Sequence, residues 1–200
     1  GWQLGEHAEW RKMTVFELAA RVPLMVKVPW LPQSAGQVST QLVELVDIYP
    51  TVAELAGVPL PADETLDGTS FAAVLEDPTA STGKNYAFSQ YPRCPVNNTA
   101  GELWWHNACL HVNDTDFGYM GFSVRSERWR YTEWPTWDGD KLAPNWGDLA
   151  GRELYDHLGD DGTDFDAYEN VNEVGNPAYA SVVLELSAVL HSNFPFPSHS

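Results

Sequence analysis

The first 25 residues, GWQLGEHAEWRKMTVFELAARVPLM, set a lysine, Lys12, and a histidine, His7, in a loop that carries glycine. A lysine ammonium is a compact point charge, suited to a tetrahedral oxyanion. The plain alternative is a surface residue, because lysine is seldom buried. Glu17 and Arg21 lie four apart, the spacing of an ion pair across one helical turn, and Pro23 follows them. Trp2 could give a bound molecule an apolar wall or fill a core, and His7 could bond a substrate or make a structural hydrogen bond. A second aromatic group, Trp104, Trp105 and His106, lies in a stretch from Cys94 to Val124 that contains no Lys or Arg. Such a loop can stack on sugars but cannot pair with a carboxylate; it could equally be a small hydrophobic cluster.

The elements that must hold these residues follow from patterning. RVPLMVKVPW, 21–30, is a short apolar run between prolines and predicts a buried strand. Ser39 or Thr40 is a candidate cap for a helix running to Ala56, with Pro50 interrupting it and Gly57 ending it. Residues 58–84 are rich in loop formers, with a short helix expected at 69–76. Beyond about residue 80 the grammar changes. Asn85–Tyr91, Gly118–Arg125 and Arg128–Trp134 predict strands, Leu154-Tyr155 an edge strand, and 178–191 an amphipathic helix. The expected division is therefore 1–80 and 81–200, an α/β part followed by a small antiparallel α+β part.

Composition narrows the function. The chain has 200 residues, 44% of them hydrophobic, enough for a substantial core. A net charge of −17 argues against nucleic acid, whose phosphates need a basic surface. No apolar stretch is long enough to span a membrane. The two cysteines, Cys94 and Cys109, lie near two glycosylation sequons, at Asn97 and Asn113. Together these suggest secretion and a Cys94–Cys109 disulfide, with two unrelated buried thiols as the alternative.

Lys12, Glu17, Arg21 and Pro23 match, in identity and spacing, a pattern that resembles the sulfatases of the alkaline-phosphatase superfamily. GWQLGEH with EWRK resembles the iduronate-2-sulfatase group, as do FSQYPR (88–93), MGFSVRSERWRYTEW (120–134) and RELYDH with ENVN (152–172). LVELVDIYPTVAELAGVPLP (42–61) and LDGTSFAAVLEDP (66–78) match sulfatases generally. The resemblance implies the C-terminal part of an alkaline-phosphatase-like α/β fold, with 1–80 completing the large domain and 81–200 forming a C-terminal subdomain.

It also implies sulfate-ester hydrolysis on a sulfated sugar, with a calcium ion, a formylglycine made within C-x-P-x-R, and Lys12 on the sulfate oxygens. Neither Cys94 nor Cys109 fits C-x-P-x-R. The nucleophile and the metal ligands are thus expected upstream of Gly1, in the rest of the sulfatase chain, and the piece alone is expected to be inactive. The compartment implied is secreted, periplasmic or lysosomal. Ala8 stands where the group usually has Gly, which leads one to expect no positive φ there. Two other readings fit the residues: a phosphatase or phosphonate monoesterase of the same superfamily, and a non-catalytic sugar-binding relative.

Overall fold

The structure is a computed structural model and describes residues 2–63, 65–94, 109, 112–164 and 167–195. Its contacts group the chain into two units, Pro23–Ala87 and Gly1–Val22 with Phe88–Ser200. The chain passes between the units at 22/23 and at 87/88. The first 22 residues, however, join the C-terminal unit, through side chains described below.

In the 23–87 unit, residues 21–30 form no strand, which corrects the sequence expectation. A strand needs a neighbour to take its backbone hydrogen bonds. None of the described strands pairs with this run, and Met25 stays 91% exposed. The helix also starts later than expected. Ser39 and Thr40 do not cap it. Glu44 does, in a reciprocal capping box with Asp47 around a 3-10 turn at Leu45–Asp47. The helix α2, Ile48–Leu55, follows directly, so Pro50 sits in its first turn, where a missing N–H costs nothing. Buried Asp47 organises the unit. It accepts from the Glu44 N–H, the Thr69 N–H and the Lys84 ammonium at 2.7–2.8 Å. Gly68 is required beside it, since a Cβ would lie 2.1 Å from the Val46 carbonyl oxygen. The short helix α3, Ala72–Glu76, lies within the predicted 69–76.

The other unit is built on a four-stranded antiparallel sheet in sequence order: β3 (Ala87–Arg93), β4 (Tyr119–Arg125), β5 (Trp129–Asp138) and β6 (Ala143–Asp156). The strand around Leu154-Tyr155 is far longer than expected, because β6 pairs with β5 along most of its length through a bulge at Pro135. The register gives the sheet two distinct faces. Phe122 opposes Glu133, Val124 opposes Tyr131, and Tyr131 opposes Leu154. This face is apolar and is covered by Val183, Leu186 and Leu190 of α4, Ala180–Asn193. Buried Glu133 on this face accepts from Tyr131 and Ser187 and meets His191 at 2.7 Å. On the other face Ser123 opposes Thr132, and Arg125 opposes Arg130. That face is buried too, although polar, because the N-terminal 22 residues lie on it.

Candidate active site

The segment bearing Lys12 begins with a two-stranded hairpin. β1 (Gln3–Leu4) pairs with β2 (Trp10–Arg11), Gln3 opposite Arg11 and Leu4 opposite Trp10. Trp2 and Lys12 flank this hairpin, one residue before β1 and one residue after β2. Both are exposed, and Lys12 makes no hydrogen bond or ion pair to any described residue. The hairpin turn is tight. Gly5 adopts φ +126, and His7 and Ala8 follow at φ +55 and +57. Ala8 thus corrects the expectation drawn from its replacement of glycine: the turn does demand the left-handed region. For a residue with a Cβ that region costs about 1–2 kcal/mol. Bonds from the Ala8 N–H to Gly5 and from the Glu9 N–H to Glu6 hold the turn in place. His7 lies flat on Phe16, ring centroids 4.0 Å apart, so one face of its imidazole is used in packing.

Behind the hairpin, the short helix α1, Glu17–Ala20, delivers Glu17 to the buried polar face of the sheet. The Glu17 backbone N–H donates to Glu169 at 2.5 Å, and its carboxylate pairs with Arg130, Arg125 and Arg21. Arg130 spans the site: its guanidinium also donates to Glu169 and to the Ser123 hydroxyl. His157 touches Asp160 at 2.9 Å with one ring nitrogen and Glu169 at 3.2 Å with the other. Glu17, Arg130, His157 and Glu169 are all at least 97% buried. Burial pushes the Glu17 carboxyl up, but Arg130 and Arg125 outweigh it and hold the group down at about 2. Glu169 is likewise lowered against its burial, chiefly by Arg130.

A pH dependence follows from Glu17. Its folded pKa is depressed, so its contribution is complete above the ordinary value of 4.5 and is lost as pH falls toward 2. The loss over that window should be on the order of 3 kcal/mol. Unfolding monitored between pH 7 and 2 should show a Glu17-dependent fall only below about pH 5. A Glu17→Gln variant with the same acid limb as the wild type would refute this.

Glu17, His157 and Glu169 also place one ligand atom each within 4.8 Å of one another. They do not fit a calcium ion. Calcium takes 6–8 oxygen ligands, and here both carboxylates are already engaged by Arg130. The cysteines do not fit a formylglycine either, because Cys94 and Cys109 are joined in a disulfide. Asn113 is exposed, as a glycan acceptor would be. Trp104, Trp105, His106 and Asn97 lie outside the described residues.

The sequence reading brought out Lys12, Glu17 and Arg21 but missed Arg125, Arg130, His157 and Glu169. One signal was available: Arg130 and Thr132 alternate with Tyr131 and Glu133 in a strand too apolar in its surroundings to be exposed on either face.

The profile described as N-sulphoglucosamine sulphohydrolase, C-terminal, matches residues 5–134, well over half of the chain. The chain belongs to the sulfatase family. Within that family it is 32% identical to the iduronate 2-sulfatase of Mus musculus, covering 78% of this chain and 34% of that protein. It is 28% identical to the arylsulfatase K of Xenopus laevis, covering 72% of this chain and 23% of that protein. This sulfatase chain therefore spans about a third or less of these curated relatives.

Solved structures show the same fold. One, in complex with its substrate D-glucosamine-2-N,6-O-disulfate, aligns over 97% of this chain and 33% of its own with a TM-score of 0.68 at 24% identity. A phosphonate monoester hydrolase from Silicibacter pomeroyi aligns over 96% of this chain and 32% of its own, with a TM-score of 0.64 at 24% identity. The alkaline-phosphatase-like class expected from the motifs is thus the class observed, an α/β chain with an antiparallel sheet and a C-terminal helix. Among the described residues no helix is long and apolar enough to cross a membrane.

Proposed function

We propose that the protein containing this chain hydrolyses a sulfate ester on a sugar, with Lys12 binding the sulfate oxygens. The observation that carries the reading is the unpaired, exposed Lys12 ammonium, five residues before a fully engaged Glu17. A cation left without a partner among the described residues, on a segment fixed so firmly from behind, is available to a bound anion. A fixed positive charge there stabilises the charge that develops on the oxygens in the transition state.

Residues 23–80 belong to the large catalytic domain and 81–200 to the C-terminal subdomain, with residues 1–22 grouped with the latter. Calcium and the formylglycine belong to parts of the protein outside these residues. Trp2, which like Lys12 flanks the hairpin and is exposed, forms the apolar side of the sugar site, and His7 borders it. The loop containing Trp104, Trp105 and His106 contributes stacking, pinned by Cys94–Cys109. With no cation in that loop, the preferred sugar is neutral or multiply hydroxylated rather than a uronate. The iduronate 2-sulfatase relatives support a sulfated sugar as substrate, and the Cys94–Cys109 disulfide supports an oxidising compartment, secreted, periplasmic or lysosomal.

The test is release of sulfate by the full-length protein from sulfated monosaccharides, beside matched phosphate esters. Sulfate release is expected. Phosphate release alone would move the assignment to a phosphatase, and release of neither to a non-catalytic binding protein. A clear preference for 2-sulfated iduronate would overturn the specificity reading only.

A further inference from the structure

FSQYPR, 88–93, ends β3 on Arg93, a residue the mechanism above does not use. Arg93 reaches back across the unit to the loop that carries Lys12. One nitrogen of its guanidinium donates to the Glu9 carboxylate at 2.9 Å, and another to the Met13 carbonyl at 3.1 Å. These two contacts bracket Lys12, three residues before it and one after. The same guanidinium lies over the rings of Trp134, 5.4 Å from the centroid, and Tyr91, at 5.8 Å. Both distances fall within the reach of cation–π attraction. The strand end itself is fixed: the Arg93 carbonyl accepts from Gly118, and Cys94, the next residue, is disulfide-bonded.

The clamp matters because the loop is otherwise held at its ends. Glu17 and its buried partners fix the C-terminal side, and the hairpin fixes the N-terminal side. Between them the chain passes through Arg11 at φ +70 and then Lys12, with the side chain of Lys12 exposed. A flexible lysine stem has many rotamers, and its backbone must be fixed if the ammonium is to have one location.

We infer that Arg93 is a positioning residue, which holds the Glu9–Met13 loop so that Lys12 points at the bound sulfate group. The inference rests on the reading of Lys12 given above. Arginine is needed because a planar fork can donate to a carboxylate and a carbonyl at once while stacking on rings. A lysine at this position would reach one partner only.

The experiment is a double-mutant cycle in the full-length protein, read as kcat and KM on a sulfated monosaccharide. Arg93→Ala should lower kcat about 10-fold or more with KM little changed, since misplacing a catalytic group by about 1 Å costs up to about 10². Arg93→Lys should recover little of it. Glu9→Ala should reproduce the loss from the other side of the clamp, and it carries the test if Arg93→Ala does not fold. In a Lys12→Ala background, Arg93→Ala or Glu9→Ala should add less than about 2-fold, because the group being positioned is gone. An equal loss in both backgrounds would overturn the inference and make Arg93 merely structural, as would full activity of Arg93→Ala and Glu9→Ala. If Lys12→Ala itself costs nothing, the reading of Lys12 fails, which is a separate result.

Discussion

Arg130→Met should destabilise the unit formed by residues 1–22 and 88–200 by about 3–5 kcal/mol, the usual consequence of removing one partner from a buried ion pair. Two carboxylates depend on this guanidinium. Glu17 and Glu169 are 3% and 1% exposed, and both bond to Arg130. Arg125 remains near Glu17, but its nitrogen is 3.4 Å away and it serves Asp160 as well. Without Arg130, the hydrogen bonds left to Glu169 among the described residues are those to His157 and the Glu17 backbone N–H.

Methionine has similar volume, so the loss reports uncompensated charge rather than a cavity. Arg130→Lys should recover less than half of it, since one ammonium cannot serve Glu17, Glu169 and Ser123 together. Adding Glu169→Gln to Arg130→Met should restore part of the stability, because it removes one of the stranded charges. A urea titration followed by tryptophan fluorescence reads all three variants. A loss below about 1 kcal/mol for Arg130→Met would mean that water or Arg125 compensates the carboxylates.

That cluster marks where the sequence stops being legible. Strands β4 and β5 and helix α4 follow from alternation and amphipathic spacing, because each buries an apolar face against a neighbour in this chain. The 21–30 run has the same apolar composition but no partner strand among the described residues, and it remains unpaired. Composition reports what a segment wants to bury, not whether a neighbour is present to receive it. Local chemistry was clearer for Lys12, Glu17 and Arg21, whose spacing is short and fits one loop and one helical turn. Glu169 lies 152 residues from Glu17, and Arg130 lies 113 away. No local pattern links residues at such separations. Ala8 shows a different limit: the residue type argued against a left-handed turn, yet the backbone bonds that close the hairpin, from Ala8 to Gly5 and from Glu9 to Glu6, hold it there.

Lys12→Ala in the full-length protein should lower kcat/KM by about 10²–10³, the loss expected when one oxyanion-stabilising donor is removed. The structure sharpens this expectation in two ways. First, Lys12 has no partner among the described residues, so truncating it should leave the unfolding curve unchanged, in contrast to Arg130→Met. A fall in activity with unchanged stability then reports chemistry rather than folding. Second, the backbone on both sides of Lys12 is held, by the Gln3–Arg11 register before it and the Arg93–Met13 bond after it. A fixed cation spends no reorganisation energy as charge grows on the sulfate oxygens, so its effect should fall mainly on kcat. Lys12→Arg should restore only part, because a planar fork with diffuse charge replaces a point donor at the end of a longer stem. Steady-state kinetics on a sulfated monosaccharide decide it. Unchanged kcat/KM in Lys12→Ala would show that the exposed ammonium faces solvent rather than substrate, and that the sulfate is held by residues outside this chain.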